Sequence, residues 1–201
     1  VLADQHCDGS AASQPLIFGS PVPEMQSPTR PAPPSAWIVR HAGLVQVPGP
    51  VLDLAAGSGR HTRFFKGLGH RVTAVDRDVS GLADLAADPL VEVIAADLED
   101  GSPWPLAGQR FGGIVVTNYL HRPLLPLLAA ALLPGGVLLY ETFARGNERF
   151  GRPSNPDFLL RPGELLDLAE VEGLTVRAYR HGTVAEPRPA ITQGIVAQRQ
   201  K

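Results

Sequence analysis

Three aspartates at the ends of apolar runs, with a glycine turn among them, carry the first chemistry legible in this chain. Val51-Leu-Asp-Leu-Ala-Ala-Gly-Ser-Gly-Arg60 reads as a buried strand holding Asp53, then a tight turn through Gly57 and Gly59 into a helix. Val72-Thr-Ala-Val-Asp76 is a second apolar run ending in an acid, and Asp76 follows Gly57 by 19 residues (76 − 57). A carboxylate about 20 residues beyond a glycine turn is the spacing at which a βαβ nucleotide site holds ribose hydroxyls. A third run, Leu90 to Leu98, closes on Asp97 and Leu98. One such acid reads as a strand or helix cap. Several in register point to a shared nucleotide-like ligand. The dinucleotide pattern Gly-x-Gly-x-x-Gly is not completed, because Thr62 stands at its third position. A fourth run, Phe111 to Tyr119, is followed by His121, the side chain best suited to take a proton near neutral pH.

These residues need a scaffold, and the pattern supplies one. Apolar runs alternate with helical periodicity, which implies an α/β architecture with a doubly wound parallel sheet. Helices are expected at 35–43, 59–68 and 78–87, with a buried helix over the apolar run 123–133. The stretch 101–110 carries Pro103 and Pro105 and predicts an abbreviated crossover. Leu133-Pro-Gly-Gly136 predicts a turn before a fifth strand, Val137 to Phe143. Pro162 to Val171 has proline at its start and Gly173 beyond its end, as a helix does. Leu174–Val184 and Pro189–Gln200 read as a closing hairpin. Residues 1–34, rich in Pro and Ser, are expected to form an arm ahead of a single domain at 35–201. Residues 144–161 form a long polar loop with several arginines, a length usually associated with function or disorder.

Composition excludes several classes. A formal net charge of −2 gives no strong pull toward nucleic acid or an anionic membrane. The apolar run 123–133 is too short for a bilayer, which needs about 20 residues. The one cysteine, Cys7, cannot form an internal disulfide, which fits a cytoplasmic setting. The six histidines lack ligand spacing, so no metal is expected.

The acid, small residues and Gly57-x-Gly59, with Asp76, Asp97 and Leu133-Pro-Gly-Gly136 following in order, resemble the class I S-adenosylmethionine (SAM) methyltransferases. Ala55 stands where that family usually has its first glycine. The small single-domain form is most similar to the tellurite-resistance and thiopurine-type members. The resemblance implies a Rossmann-like, mostly parallel seven-stranded sheet with an antiparallel C-terminal hairpin. It implies SAM as cofactor and S-adenosylhomocysteine (SAH) as product. Cofactor contacts are then expected at Asp53, Ala55, Gly57, Gly59, Asp76, Arg77, Asp97, Leu98, Asn118 and Arg40. Asp76 would take the ribose hydroxyls, Asp97 the adenine amino group, and Arg40 or His41, on a helix preceding the motif, the cofactor carboxylate. The transferred methyl would lie beside the end of strand four, making His121 and Tyr119 the expected catalytic residues. Glu141, Arg149, Asn155 and Phe158 are the expected acceptor contacts.

A small-molecule acceptor is the expected partner. Two alternatives stand beside it: a methyltransferase acting on RNA or protein through Arg145, Arg149, Arg152 and Arg161, and a SAM-binding module without catalysis. The Asn/Asp-Pro-Pro-Tyr box of many amino-group methyltransferases is replaced by Thr117-Asn118-Tyr119-Leu120, which disfavours adenine or glutamine amide acceptors.

Overall fold

The central strands are apolar at nearly every position, so each must bury both faces, and helices cover the sheet on either side. In a computed structural model, which describes residues 32–201, the strands are β1 (Val51–Leu54), β2 (Val72–Asp76), β3 (Val91–Ala95), β4 (Phe111–Thr117), β5 (Leu132–Phe143), β6 (Leu174–Val184) and β7 (Ala190–Arg199). They form one sheet in the order β3-β2-β1-β4-β5-β7-β6. The pairs from β3 through β5 are parallel, and β7 runs antiparallel to both β5 and β6. This is the expected mostly parallel sheet with an antiparallel hairpin. The chain order reverses between β1 and β4, so ligand space opens beyond the C-terminal ends of those strands. The part of the expected Pro/Ser-rich arm that spans residues 1–31 lies outside the described residues.

Period-two alternation of side-chain direction sorts the core into two faces. Val51, Val72, Val115, Val137 and Leu139 pack with Trp37, Ile38 and Phe65, from α1 (Ala36–His41) and α2 (Arg60–Gly67). Leu52, Leu54, Ile114, Val116, Leu138 and Tyr140 face the other way, against α3 (Leu125–Ala131) and α4 (Glu164–Val171). Burying an aliphatic side chain is worth roughly 1.5–3 kcal/mol, so these faces fix the strand register that aligns the functional strand ends.

Some elements differ from expectation. The helix expected over 78–87 is a 3-10 helix, Ser80–Leu85. Asp76 and Asp78 accept from the backbone of Asp78 and Ser80, and Asp88 accepts from Leu90 N, so short polar side chains capture both ends of the segment. The Leu-Pro-Gly-Gly turn lies inside β5, where residues 133–136 loop out as pairing shifts from Phe111–Leu132 to Gly113–Val137. The run 123–133 is not buried all round, since Leu127 is exposed while Leu125 and Leu128 are inside. No helix joins β3 to β4, as its prolines predict.

Candidate active site

Two neighbouring features occupy the C-terminal edge of the sheet: a cradle at the ends of β1–β4, and a cavity over β5, β7 and β6. The cradle begins where β1 stops. Ala55 has φ 54° and Gly57 has φ 54°, so the chain turns through left-handed backbone immediately after the strand. Glycine adopts that region freely, whereas alanine is strained there. Gly59, with φ 75°, opens α2; a Cβ on it would meet Leu82 Cδ2 at 2.3 Å. The left-handed φ is what favours a glycine there.

Asp76 ties β2 to this turn. Its Oδ2 accepts from Gly57 N at 2.7 Å, and its Oδ1 accepts from Asp78 N at 3.0 Å. A carboxylate offers about four acceptor positions, so both oxygens keep capacity for a diol. Asp97, exposed at the end of β3, uses only Oδ1, accepting from Glu99 N. Leu98 is half-buried against the core, and Arg77 is exposed beside Asp76. Asn118 ends β4 at φ 56°, a second left-handed position and one that Asn tolerates.

Tyr119 follows, and its buried hydroxyl has no hydrogen-bond partner. Burial first, then the charges of Glu99, Asp97 and Asp76, hold its phenol well above the ordinary tyrosine range. It therefore stays protonated, a donor and not a base. His121 lies on this same side, with Nδ1 3.9 Å from Glu99 Oε2. It makes no side-chain cap to the 3-10 helix Arg122–Leu124.

Asp53 sits beneath the cradle. It is 2 % exposed and accepts from Thr62 Oγ1 at 2.6 Å, bracing α2 to β1. Burial pushes its carboxyl up to about 6. His61, one residue before Thr62, accepts from Ser35 N at 3.1 Å through Nε2, which leaves Nδ1 protonated and facing Thr117 Oγ1 at 3.4 Å. Burial, aided by the Arg60 charge, lowers it to about 3, so it is neutral near pH 7.

The second feature is a cavity of about 860 Å³. Its lining joins Ser35, Trp37 and Arg40 of the first helical segment to Arg60, Asn118, Glu141 and the β6–β7 hairpin. Ser35 fixes that helix in two ways. Its Oγ accepts from Trp37 N at 3.1 Å and donates to Glu141 Oε2. Arg180 donates to the other Glu141 oxygen and lies over the Trp37 ring, 5.2 Å from its centroid. Trp37 packs on Gly194, where a Cβ would come within 2.9 Å of the indole. Trp37 Nε1, Arg180 Nε and Thr192 Oγ1, all of lining residues, are buried without partners.

The structure thus brings Asn118, Glu141 and Arg40 to the cavity, and Ala55, Gly57, Gly59, Asp76, Asp97 and Tyr119 to the cradle. Arg149, Asn155 and Phe158 do not line the cavity. Asn155 caps a 3-10 helix by accepting from Asp157 N at 3.0 Å, and Arg149 bonds Gly146 O. Phe150 and Phe158 are exposed and do not anchor their loop. Arg122 does so instead, donating to Asp157 O, Leu159 O and both oxygens of the buried Glu164. Arg60, Trp37, Arg180 and Arg188 were not anticipated as site residues. Arg60 had a signal, following directly after Gly59. The hairpin arginines had none.

The fold recurs in solved structures. Burkholderia thailandensis 1,6-didemethyltoxoflavin-N1-methyltransferase, solved with 1,6-didemethyltoxoflavin and SAH, superposes with a TM-score of 0.61 at 25% identity, over 82% of this chain and 76% of that one. The chain has the class I SAM-dependent methyltransferase fold. Among other methyltransferase-like neighbours, TehB from Haemophilus influenzae gives a TM-score of 0.64 at 17% identity, over 81% of this chain and 61% of that one. The glycopeptide N-methyltransferase MtfA, complexed with SAH, gives 0.55 at 23% identity, over 81% and 88%. No protein-family model matches the chain, and no curated protein does.

Proposed function

We propose that this protein transfers the methyl group of SAM to a small-molecule acceptor. The observation that carries the reading is Asp76, bonded to Gly57 N across the glycine turn with acceptor capacity left on both oxygens. It shares a sheet edge with Asp97, and further along that edge Asn118, at the end of β4, lines a cavity of small-molecule size. The solved neighbours that carry SAH have the same fold. The chain is an enzyme, SAM its cofactor and SAH its product.

The residues present fit that cofactor. Asp76 would hold the ribose hydroxyls, Asp97 and the Leu98 backbone the adenine, and the 55–59 turn the methionine part, with Arg60 or Arg40 toward its carboxylate. Gly57 leaves the approach open, since a Cβ built there would meet nothing within 4 Å. When bound, SAM supplies a methyl activated by its sulfonium. The protein's task is then to hold an acceptor in line, which can supply much of the rate. Asn118 stands between cradle and cavity and is placed to do this. Tyr119, kept protonated, orients by donating. His121 is the candidate base on the cradle side and Glu141 the polar group on the cavity side. A base is needed only where the acceptor arrives protonated.

The partly enclosed cavity favours a small acceptor over RNA or protein. Calorimetric titration with SAM, decarboxylated SAM and NAD tests the reading, together with mass analysis of any cofactor retained on purification. Binding of SAM and SAH but not NAD is expected. NAD binding in their place overturns it.

A further inference from the structure

The cavity's lining has a sign opposite to that of the chain. Its charged residues are Arg40, Arg60, Arg180 and Arg188 against Glu141 and Glu186, a surplus of two positive charges in a protein of net charge −2. Glu141 is already occupied, by Arg180 on one oxygen and Ser35 on the other. The lining is also aromatic. Arg180 lies over Trp37 at 5.2 Å, and Arg188 lies over Phe143 at 5.9 Å, with Tyr179 contributing a third ring. An arginine set over a ring can still offer N–H groups to an anion. Arg188 bonds only a neutral carbonyl, Arg152 O, at 3.2 Å, and has no acid partner among the described residues.

The carboxylate of SAM itself supplies one negative charge. Arg60 is closest in sequence to the glycine turn and also lines the cavity beside Asn118, so it is the natural partner for that group. Arg188 lies on the β6–β7 connection, in the part of the lining drawn from the hairpin, and remains available. A charge surplus in a partly enclosed site raises the local concentration of the opposite charge and selects for it.

We propose that the methyl acceptor is a planar aromatic or heteroaromatic compound bearing an ionised acid group, with its ring among Trp37, Phe143 and Tyr179 and its acid group on Arg188. This rests on the methyltransferase reading above and narrows it to a substrate class.

The test uses the full chain saturated with SAH and three calorimetric probes: salicylate, its neutral amide salicylamide, and the non-planar acid cyclohexanecarboxylate. Salicylate is expected to bind on the order of tenfold more tightly than either of the others. Arg188→Gln is expected to lose at least about fivefold of salicylate affinity with SAH and salicylamide affinities unchanged. Arg188 is exposed, and unchanged SAH affinity reports that the variant is folded. SAH binding without any preference among the probes, or salicylate affinity unmoved by Arg188→Gln, overturns the proposal alone. Failure of SAH to bind the parent protein overturns the methyltransferase reading and this proposal with it.

Discussion

Asp53→Asn should change how stability depends on pH, and the structure gives the size of the effect. The buried carboxyl of Asp53 has its pKa raised from 3.8 to about 6. A raised acid binds more protons in the fold than in the unfolded chain, so its contribution is most favourable below 3.8 and declines as pH rises through about 6. A tenfold difference in proton affinity between the folded and unfolded states is worth about 1.4 kcal/mol. Between pH 4 and pH 8 the ionised group should therefore cost the fold roughly 2.5 kcal/mol more at the upper end. His61 acts in the opposite sense. Its pKa is lowered from 6.5 to about 3, so its contribution is fully present above 6.5 and is lost as pH falls toward 3. Across the shared window the two slopes oppose each other. The substituted amide would keep an oxygen for Thr62 while removing the ionisation, so the mutant profile should lose the Asp53 slope and keep that of His61. Urea unfolding across pH 4 to 8 measures this. The quantity to compare is the mutational change at pH 8 minus that at pH 4, because any fixed cost of the new amide cancels. A difference of roughly 2.5 kcal/mol in favour of the mutant at pH 8 is expected. Parallel wild-type and mutant profiles would refute a buried, titrating Asp53.

The other predictions concern the cradle, the loop and the proton. Asp76→Ala should weaken SAM binding more than about tenfold by calorimetry with the fold retained, since hydrogen bonds to a charged group are worth about 1.5–3 kcal/mol each; Asp97→Ala should cost less. Ala55→Gly should relieve the left-handed strain at φ 54° and raise stability by up to about 1 kcal/mol in thermal unfolding. Arg122→Met should leave Glu164 buried without its main partner, destabilise by about 3 kcal/mol in urea, and speed hydrogen exchange across 144–161. His121→Ala should lower turnover at saturating SAM at least about tenfold with SAM affinity little changed, if the acceptor arrives protonated; an already ionised acceptor atom would leave turnover near normal.

Much of the fold was legible because local pattern and global structure agree. Near-continuous apolar character in Val51–Leu54, Val72–Asp76 and Phe111–Thr117 marked strands buried on both faces, and the glycine turn marked where backbone must run left-handed. The residues of the cradle are close to strand ends, so once the strands were parallel and adjacent their acids had to converge on one edge. Short-range competition was harder to read: the Asx bonds of Asp76 and Asp78 turned an expected α-helix into the 3-10 helix Ser80–Leu85. The cavity as a whole was not legible, although Arg40, Asn118 and Glu141 of its lining were. Its wall joins Ser35, Glu141 and Arg180, residues up to 145 positions apart (180 − 35), through contacts that no spacing rule encodes. The sequence by itself determined the parallel sheet and the acids at the ends of its strands, because both follow from patterns along single strands. Only the tertiary structure decided that the hairpin's arginines meet the first helix over β5, because that meeting depends on β7 inserting between β5 and β6.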